Sequence, residues 1–165
     1  MNIRLLILSI MLLTFNAGAQ EKFDTINGSY FKIDGLSFTL RKQILLTKYG
    51  KPIREFEPKY ECGFLSESEQ GSKYYSLEYP HFKFTGNNKE GYTLEEIRFE
   101  NGLRTKVTYN NKEISSKTTL KEFETIFGVK VEGGEKMLYF KGADDALVFS
   151  FTKGRLAKIQ YWSPC

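Results

Sequence analysis

A pattern of alternating apolar and polar positions occurs twice along the chain. The first copy is F-K-F-T at residues 82–85, a turn, and L-E-E-I-R-F at 94–99; the second is F-S-F-T at 149–152, a turn, and L-A-K-I-Q-Y at 156–161. Both copies have the form F-x-F-T, turn, L-x-x-I-x-aromatic. Because successive side chains of a strand point to opposite faces, each copy predicts a β-hairpin with one apolar face. The repetition predicts one supersecondary unit used twice.

A helical pattern precedes each hairpin. Residues 36–49 are predicted to be mostly helical, with Thr39 as the N-cap, Gly50 after the last turn, and an apolar stripe at Leu40, Ile44, Leu45 and Tyr49. Residues 119–128 repeat the arrangement: Thr119 and Glu122 have capping-box spacing, Gly128 ends the helix, and the stripe consists of Leu120, Phe123 and Phe127.

These patterns predict an α+β fold made of two tandem helix-plus-antiparallel-meander repeats, with both helices packed on one face of the sheet. Residues 20–110 form the lead-in and repeat one, and residues 111–165 form repeat two, in one continuous globular unit. The turn at 86–91 is longer than that at 153–154, which indicates an insertion in the first hairpin. The opposite, open sheet face is predicted to carry Tyr74, Glu78, Lys83, Glu96, Arg98, Val148, Ser150, Lys158, Gln160 and Trp162.

The first nineteen residues have the features of a cleaved signal peptide. Arg4 provides the positive charge, residues 5–15 the apolar run, and A-G-A at 17–19 the cleavage site. The run is too short to span a bilayer core, and no cysteine follows it, which disfavours an acylated lipoprotein. We therefore expect a periplasmic or secreted protein with no membrane insertion after cleavage; an uncleaved anchor is the alternative.

The charged residues of the chain do not indicate a particular class of partner. The chain has 24 basic and 20 acidic residues, and Arg4 would leave with the signal peptide. The two signs are interspersed without long runs, which favours an ordinary solvated surface and no nucleic-acid partner.

Two cysteines, Cys62 and Cys165, invite pairing in an exported protein. Such a disulfide would close a loop of about 100 residues and restrain the C-terminus, contributing up to ~4–5 kcal/mol on the chain-entropy model. Free thiols or intermolecular pairing are the alternatives.

The repeated order of helix, glycine and strands resembles the β-lactamase-inhibitory-protein-like fold, and the outer-membrane assembly lipoproteins of the SmpA/OmlA type resemble a single copy of it. The resemblance lies in residues 39–52 with 82–99, and in 119–128 with 149–161. It implies a tandem-repeat, exported binding protein. Fold alone does not establish function.

No catalytic, metal or cofactor motif stands out. Cys62 with the single histidine, His81, is a weak nucleophile–base pair, and His81 lacks metal partners at a recognisable spacing. Neighbouring strand residues such as Glu95 and Glu96 are expected on opposite faces, which makes them poor acid–base partners. Asp144 and Asp145 are typical turn residues.

Trp162 is the strongest candidate for a binding residue. As the only tryptophan, on the predicted open face, it could anchor a protein partner or a sugar ring; the alternative is that it packs against the Cys165 end. The other candidate partner-binding residues are Lys158, Gln160, Tyr74 and Arg98.

The sequence thus predicts a non-enzymatic protein-binding module, inhibitor-like in its mode, that uses the open sheet face to bind another envelope or secreted protein without a cofactor. A cell-envelope structural or assembly factor is the alternative. A small hydrolase is a second alternative, disfavoured because the chain has one histidine and no catalytic motif.

Overall fold

The computed structural model describes residues 23–59, 73–100 and 103–164. Its helices are a short 3₁₀ turn (Gly28–Tyr30), α1 (Lys42–Tyr49) and α2 (Leu120–Phe127). Its strands are β1 (Thr25–Ile26), β2 (Phe31–Ile33), β3 (Thr39–Leu40), β4 (Arg54–Phe56), β5 (Tyr75–Glu78), β6 (Phe82–Asn87), β7 (Gly91–Arg98), β8 (Val107–Tyr109), β9 (Lys112–Ile114), β10 (Glu135–Phe140), β11 (Ala146–Thr152) and β12 (Arg155–Trp162).

The strands form one large and one small sheet, so the fold is mixed α+β. The large sheet has the order β1-β10-β11-β12-β7-β6-β5-β4, with β3 pairing β7 as well. All its pairings are antiparallel except β1 with β10. The small sheet has the order β2-β8-β9. Because β7 pairs with β12, the large sheet is continuous across the two halves of the chain.

The two hairpins that contain the repeated motif join at their second strands. Ile97 of β7 lies opposite Ile159 of β12. Within each hairpin, Phe82 lies opposite Ile97 and Phe149 lies opposite Ile159. The register shifts directly after Lys83 in the first hairpin and directly after Ser150 in the second, which is the same position of the motif.

Aromatic rings fill the space between the large sheet and the helices. Tyr49 at the end of α1 packs on Phe82 with 4.7 Å between ring centroids, and Phe127 at the end of α2 packs on Phe149 at 5.1 Å. Phe123 of α2 also packs on Phe149, at 4.9 Å. The small sheet contributes four further buried side chains to this core: Phe31, Ile33, Val107 and Ile114. We call the opposite face of the large sheet, which α1 and α2 do not contact through these rings, the helix-free face.

Helix α2 begins and ends as its sequence predicts. The Thr119 hydroxyl accepts from the Glu122 backbone N–H, and the Glu122 carboxylate accepts from the Thr119 N–H at 2.8 Å, which completes the capping box. The Thr119 N–H, followed by its hydroxyl, holds the pKa of Glu122 below its usual range. Gly128 closes the helix in the left-handed conformation with φ 69°.

The Thr119→Ala variant is expected to lose about 1 kcal/mol of unfolding free energy, because the Glu122 backbone N–H loses the hydroxyl that caps it. Urea denaturation monitored by circular dichroism measures this loss. The matched control is Thr125→Ala on the same helix, whose hydroxyl only donates back to the Lys121 carbonyl; it should stay within about 0.5 kcal/mol of the parent. Equal losses in the two variants would contradict a stabilising role for the cap.

The predicted start of the first helix is wrong. Helix α1 begins at Lys42 with Arg41 as an N-cap that makes no side-chain cap bond, whereas Thr39–Leu40 pairs with β7. The reason is that β12 covers β7 only opposite residues 96–98. The Leu94 N–H therefore donates to the Phe38 carbonyl at 3.0 Å, and the Thr39 and Thr93 hydroxyls lie 2.9 Å apart. The backbone N–H and C=O groups of a buried central strand need hydrogen-bond partners, and residues 38–40 provide them here.

The predicted loop insertion at 86–91 is also wrong. Strand β6 continues to Asn87 and β7 starts at Gly91, so the first hairpin has longer strands and a tight turn. The Asn87 carboxamide oxygen accepts from the Lys89 and Glu90 backbone N–H groups at 2.9 and 2.8 Å. A side chain at Gly86 would place Cβ 1.9 Å from the Gly91 carbonyl oxygen, which explains the glycine there.

Two sequence predictions fall on residues that the structure does not describe. The predicted signal peptide covers residues 1–19, and the predicted disulfide joins Cys62 and Cys165; all of these lie outside the described residues.

Candidate protein-interaction surface

A continuous row of side chains along β12 lies on the helix-free face. Ile159 of β12 is buried in the core, so period-2 alternation directs Lys158, Gln160 and Trp162 to the helix-free face. The partly exposed cross-strand neighbours on the same face complete what we call the β12 surface: Tyr139, Val148, Ser150, Glu96 and Arg98.

Trp162 is exposed and held by a second ring. Its side chain is 37% exposed, and it packs edge-to-face against Tyr139 with 6.1 Å between centroids. Phe23, 56% exposed, also packs on Tyr139, with 4.8 Å between centroids. These contacts fix the orientation of Trp162 while part of the indole faces solvent. The alternative contact with Cys165 falls on a residue outside the described ranges.

Lys158 and Gln160 act as a pair beside Trp162. The Lys158 ammonium donates to the Gln160 side-chain oxygen at 3.0 Å, and both side chains are half-buried. Across the junction with β7, Lys158 lies opposite Arg98 and Gln160 lies opposite Glu96. The structure therefore brings four of the five candidate binding residues together on one surface: Trp162, Lys158, Gln160 and Arg98.

Arg98 is anchored at the edge of this surface. Its guanidinium donates to the Pro80 carbonyl at 3.1 Å, and its Nε lies 3.6 Å from a Glu96 carboxylate oxygen. That Nε is buried and has no hydrogen-bond partner among the described residues. The bond to Pro80 thus fixes the position of the guanidinium, and its buried Nε is not accessible to a partner.

Tyr74 is not part of the β12 surface. It precedes β5, which is separated from β12 by β6 and β7. Its hydroxyl donates to the Glu90 carboxylate in the β6–β7 turn. Burial, followed by this hydrogen bond, raises the pKa of Tyr74 to about 12. The structure gives Tyr74 a local contact that fixes the turn.

A buried polar cluster lies on the helix-free face of the first hairpin, and sequence reasoning missed it. The Thr85 hydroxyl donates to the Glu95 carboxylate at 2.5 Å, which leaves Ser76 as the donor in the 2.7 Å bond between the Ser76 and Thr85 hydroxyls. The other Glu95 oxygen lies 2.6 Å from the Lys83 ammonium. Ser76 and Thr85 are fully buried, and Glu95 is nearly so.

The expectation that Glu95 and Glu96 occupy opposite faces is wrong. The register shift after Lys83 places Glu95 as an extra residue in β7, so strict alternation fails there. Glu95 contacts the Lys83 side chain, and Glu96 lies directly opposite Lys83 in the register, so both side chains are on the helix-free face. The Thr85 hydroxyl that bonds Glu95, and the Ser76 hydroxyl that bonds Thr85, are inaccessible to solvent, so this arrangement stabilises the sheet.

The remaining candidate groups for chemistry are dispersed. His81 Nδ1 lies 4.0 Å from a Glu100 carboxylate oxygen, near the end of β7. Among residues 23–59, 73–100 and 103–164, no cluster of three or more His, Cys, Asp or Glu side chains is placed to hold a metal ion.

A groove of about 570 Å³ lies between β9 and α2. Lysines, hydroxyl side chains and Glu122 are among the residues that line it, and the Glu122 carboxylate is engaged in the helix cap.

Comparison with known proteins adds no assignment. No protein-family model, no curated protein and no solved structure matches this chain.

In the described part of the chain, neither helix is long and apolar enough to cross a membrane.

Proposed function

We propose that this protein is an exported, non-enzymatic protein-binding module, inhibitor-like in its mode, that binds another envelope or secreted protein through the β12 surface. The observation that carries the proposal is the environment of Trp162. Its indole is partly exposed to solvent, and its contact with Tyr139 fixes its orientation. A pre-oriented aromatic side chain loses little conformational entropy on binding, and tryptophan is enriched among residues that dominate interface energetics.

The surroundings of Trp162 support a protein partner. A typical protein interface combines an aromatic centre with a polar rim. On the β12 surface, Trp162, Tyr139 and Val148 supply the apolar part, while Lys158 and Gln160 supply polar groups whose positions are set by their mutual hydrogen bond. The surface lies on paired strands of the large sheet, which position side chains more rigidly than loops do.

We further propose that the fold consists of two tandem helix-plus-meander repeats. Three correspondences support it: the Phe82–Ile97 and Phe149–Ile159 pairs, the register shift at the same motif position, and the packing of each helix's last aromatic ring on the first phenylalanine of the motif. In this arrangement the helices cover one face of the sheet and leave the β12 surface available. The signal-peptide features of residues 1–19 support a periplasmic or secreted location.

The Trp162→Ala variant tests the binding function. The immobilised chain is used for affinity capture from a native envelope extract, and captured proteins are quantified by mass spectrometry. A partner that uses the β12 surface should bind at least about tenfold more weakly to the variant, because loss of a central aromatic anchor typically costs about 2 kcal/mol or more.

The matched control is Tyr30→Ala, which removes a 49% exposed aromatic side chain that contacts Tyr109 of the small sheet. Capture should be unchanged in this control, and both variants should retain the parent circular dichroism spectrum. If every captured protein binds Trp162→Ala as well as it binds the parent, the proposed function is wrong.

A further inference from the structure

The junction of β7 and β12 places two cations directly opposite each other. Lys158 and Arg98 are cross-strand partners on the helix-free face. Like charges in directly opposite positions repel, so this pair does not stabilise the sheet electrostatically. Ser150, the neighbour of Lys158 on its other side, is uncharged, and its hydroxyl donates to Glu135 on the next strand.

The repulsion is only partly relieved within the described part of the chain. Lys158 hydrogen-bonds the neutral side chain of Gln160 and forms no ion pair there. Arg98 has one carboxylate nearby, Glu96, at 3.6 Å from Nε. Two cations therefore share one carboxylate that contacts only one of them, which leaves an excess of one positive charge at the Lys158–Arg98 pair. Glu135, the next carboxylate, lies on β10, two strands away from Lys158.

The cation pair and the aromatic anchor are at a defined separation. Lys158 and Trp162 are four residues apart on one strand and face the same side, which corresponds to about 13 Å. An extended partner segment running along β12 would therefore meet an apolar site at one end and a positive site at the other, with its own residues i and i+4 facing them.

We infer that the partner of the β12 surface is an acidic protein segment, which places a carboxylate between Lys158 and Arg98 and an apolar side chain against Trp162. The inference rests on the proposed function and specifies the chemistry of the partner. A carboxylate in that position accepts charge-assisted hydrogen bonds from both cations and removes their repulsion. A nucleic acid fits less well, because two cations flanked by Glu96 and Glu135 are a small footprint for a polyanion.

Two synthetic peptides test the inference with the full-length chain. The acidic probe is acetyl-Phe-Ser-Thr-Ser-Glu-amide, which has the required spacing, and the matched probe replaces its glutamate by glutamine. Binding is followed by NMR through the backbone amides of residues 156–162. The acidic probe should bind at least about fivefold more tightly at low salt, and added salt should reduce that preference.

Two substitutions locate the effect. Lys158→Met should abolish the preference for the acidic probe, whereas Lys121→Met, which removes one exposed lysine from α2, should retain it. Equal affinity for both probes, or no shift with either at millimolar concentration, would overturn the acidic inference. Tighter Lys158-dependent binding of a single-stranded oligonucleotide would overturn it in favour of phosphate recognition. None of these results changes the Trp162-dependent capture, so the two proposals can fail separately.

Discussion

Replacement of Phe149 by alanine is expected to lower the unfolding free energy by about 3–5 kcal/mol, a large fraction of the stability of an ordinary domain. Phe149 is fully buried, lies opposite Ile159, and packs on both Phe123 and Phe127 of α2. Its removal leaves a cavity at the point where the helix meets the sheet, and neither ring can fill that cavity without leaving its other contacts. Urea denaturation monitored by tryptophan fluorescence and circular dichroism measures the loss.

The matched control for this prediction is Phe23→Ala. Phe23 is 56% exposed and contacts Tyr139 on the helix-free face, so its removal creates no internal cavity. A loss below about 1 kcal/mol is expected there. If Phe149→Ala cost no more than Phe23→Ala, the packing of α2 on the second hairpin would not be a main source of stability.

The parts of the fold that the sequence predicts well are those set by local signals. Thr119, Glu122 and Gly128 determine α2 through bonds that span at most a few residues, and these bonds are present. The apolar rows also follow from local alternation: Phe82, Phe84, Phe149 and Ile159 are all buried. A residue's own neighbours along the chain are sufficient to indicate such features.

The parts that sequence reasoning misses depend on partners far along the chain. Thr39 has a good N-cap side chain, but the unpaired end of β7 recruits residues 38–40 into the sheet. Strands β4 and β9 each have three residues and are not predicted, since runs of that length carry little periodicity. Their existence is decided by the neighbouring strands β5 and β8.

The candidate site shows the same division. Alternation along β12 is sufficient to place Lys158, Gln160 and Trp162 on one face, whereas only the structure shows that Tyr139 holds Trp162. Alternation also groups Tyr74 with them, because it treats the helix-free face as uniform. The register shift in β7 makes that face non-uniform: the first hairpin carries the buried Glu95 cluster there, whereas the second has Ala157 at the corresponding position.

Replacement of Glu95 by alanine is the second substitution with a large expected effect, a loss of about 2–4 kcal/mol of unfolding free energy. The Glu95 side chain is 8% exposed, and the change removes the carboxylate that pairs with Lys83 and accepts from Thr85. A largely buried ammonium and a buried hydroxyl then lose a partner that water replaces poorly. Ala157 shows that alanine is compatible with the backbone at the corresponding position of β12, so the loss reports the polar cluster and not the bulge.

Glu96→Ala is the matched control, because Glu96 is the adjacent carboxylate, is partly exposed, and lies 3.6 Å from Arg98. Its loss should stay below about 1 kcal/mol, because its 3.6 Å contact with Arg98 is longer than a hydrogen bond and its carboxylate remains partly exposed to solvent. Denaturation of Glu95→Ala, Lys83→Ala and the double variant then completes a double-mutant cycle. A coupling energy of about 1 kcal/mol or more is expected, because the double variant no longer contains an ammonium deprived of this carboxylate. Additive losses, or a Glu95→Ala loss no larger than that of Glu96→Ala, would show that the cluster does not stabilise the first hairpin.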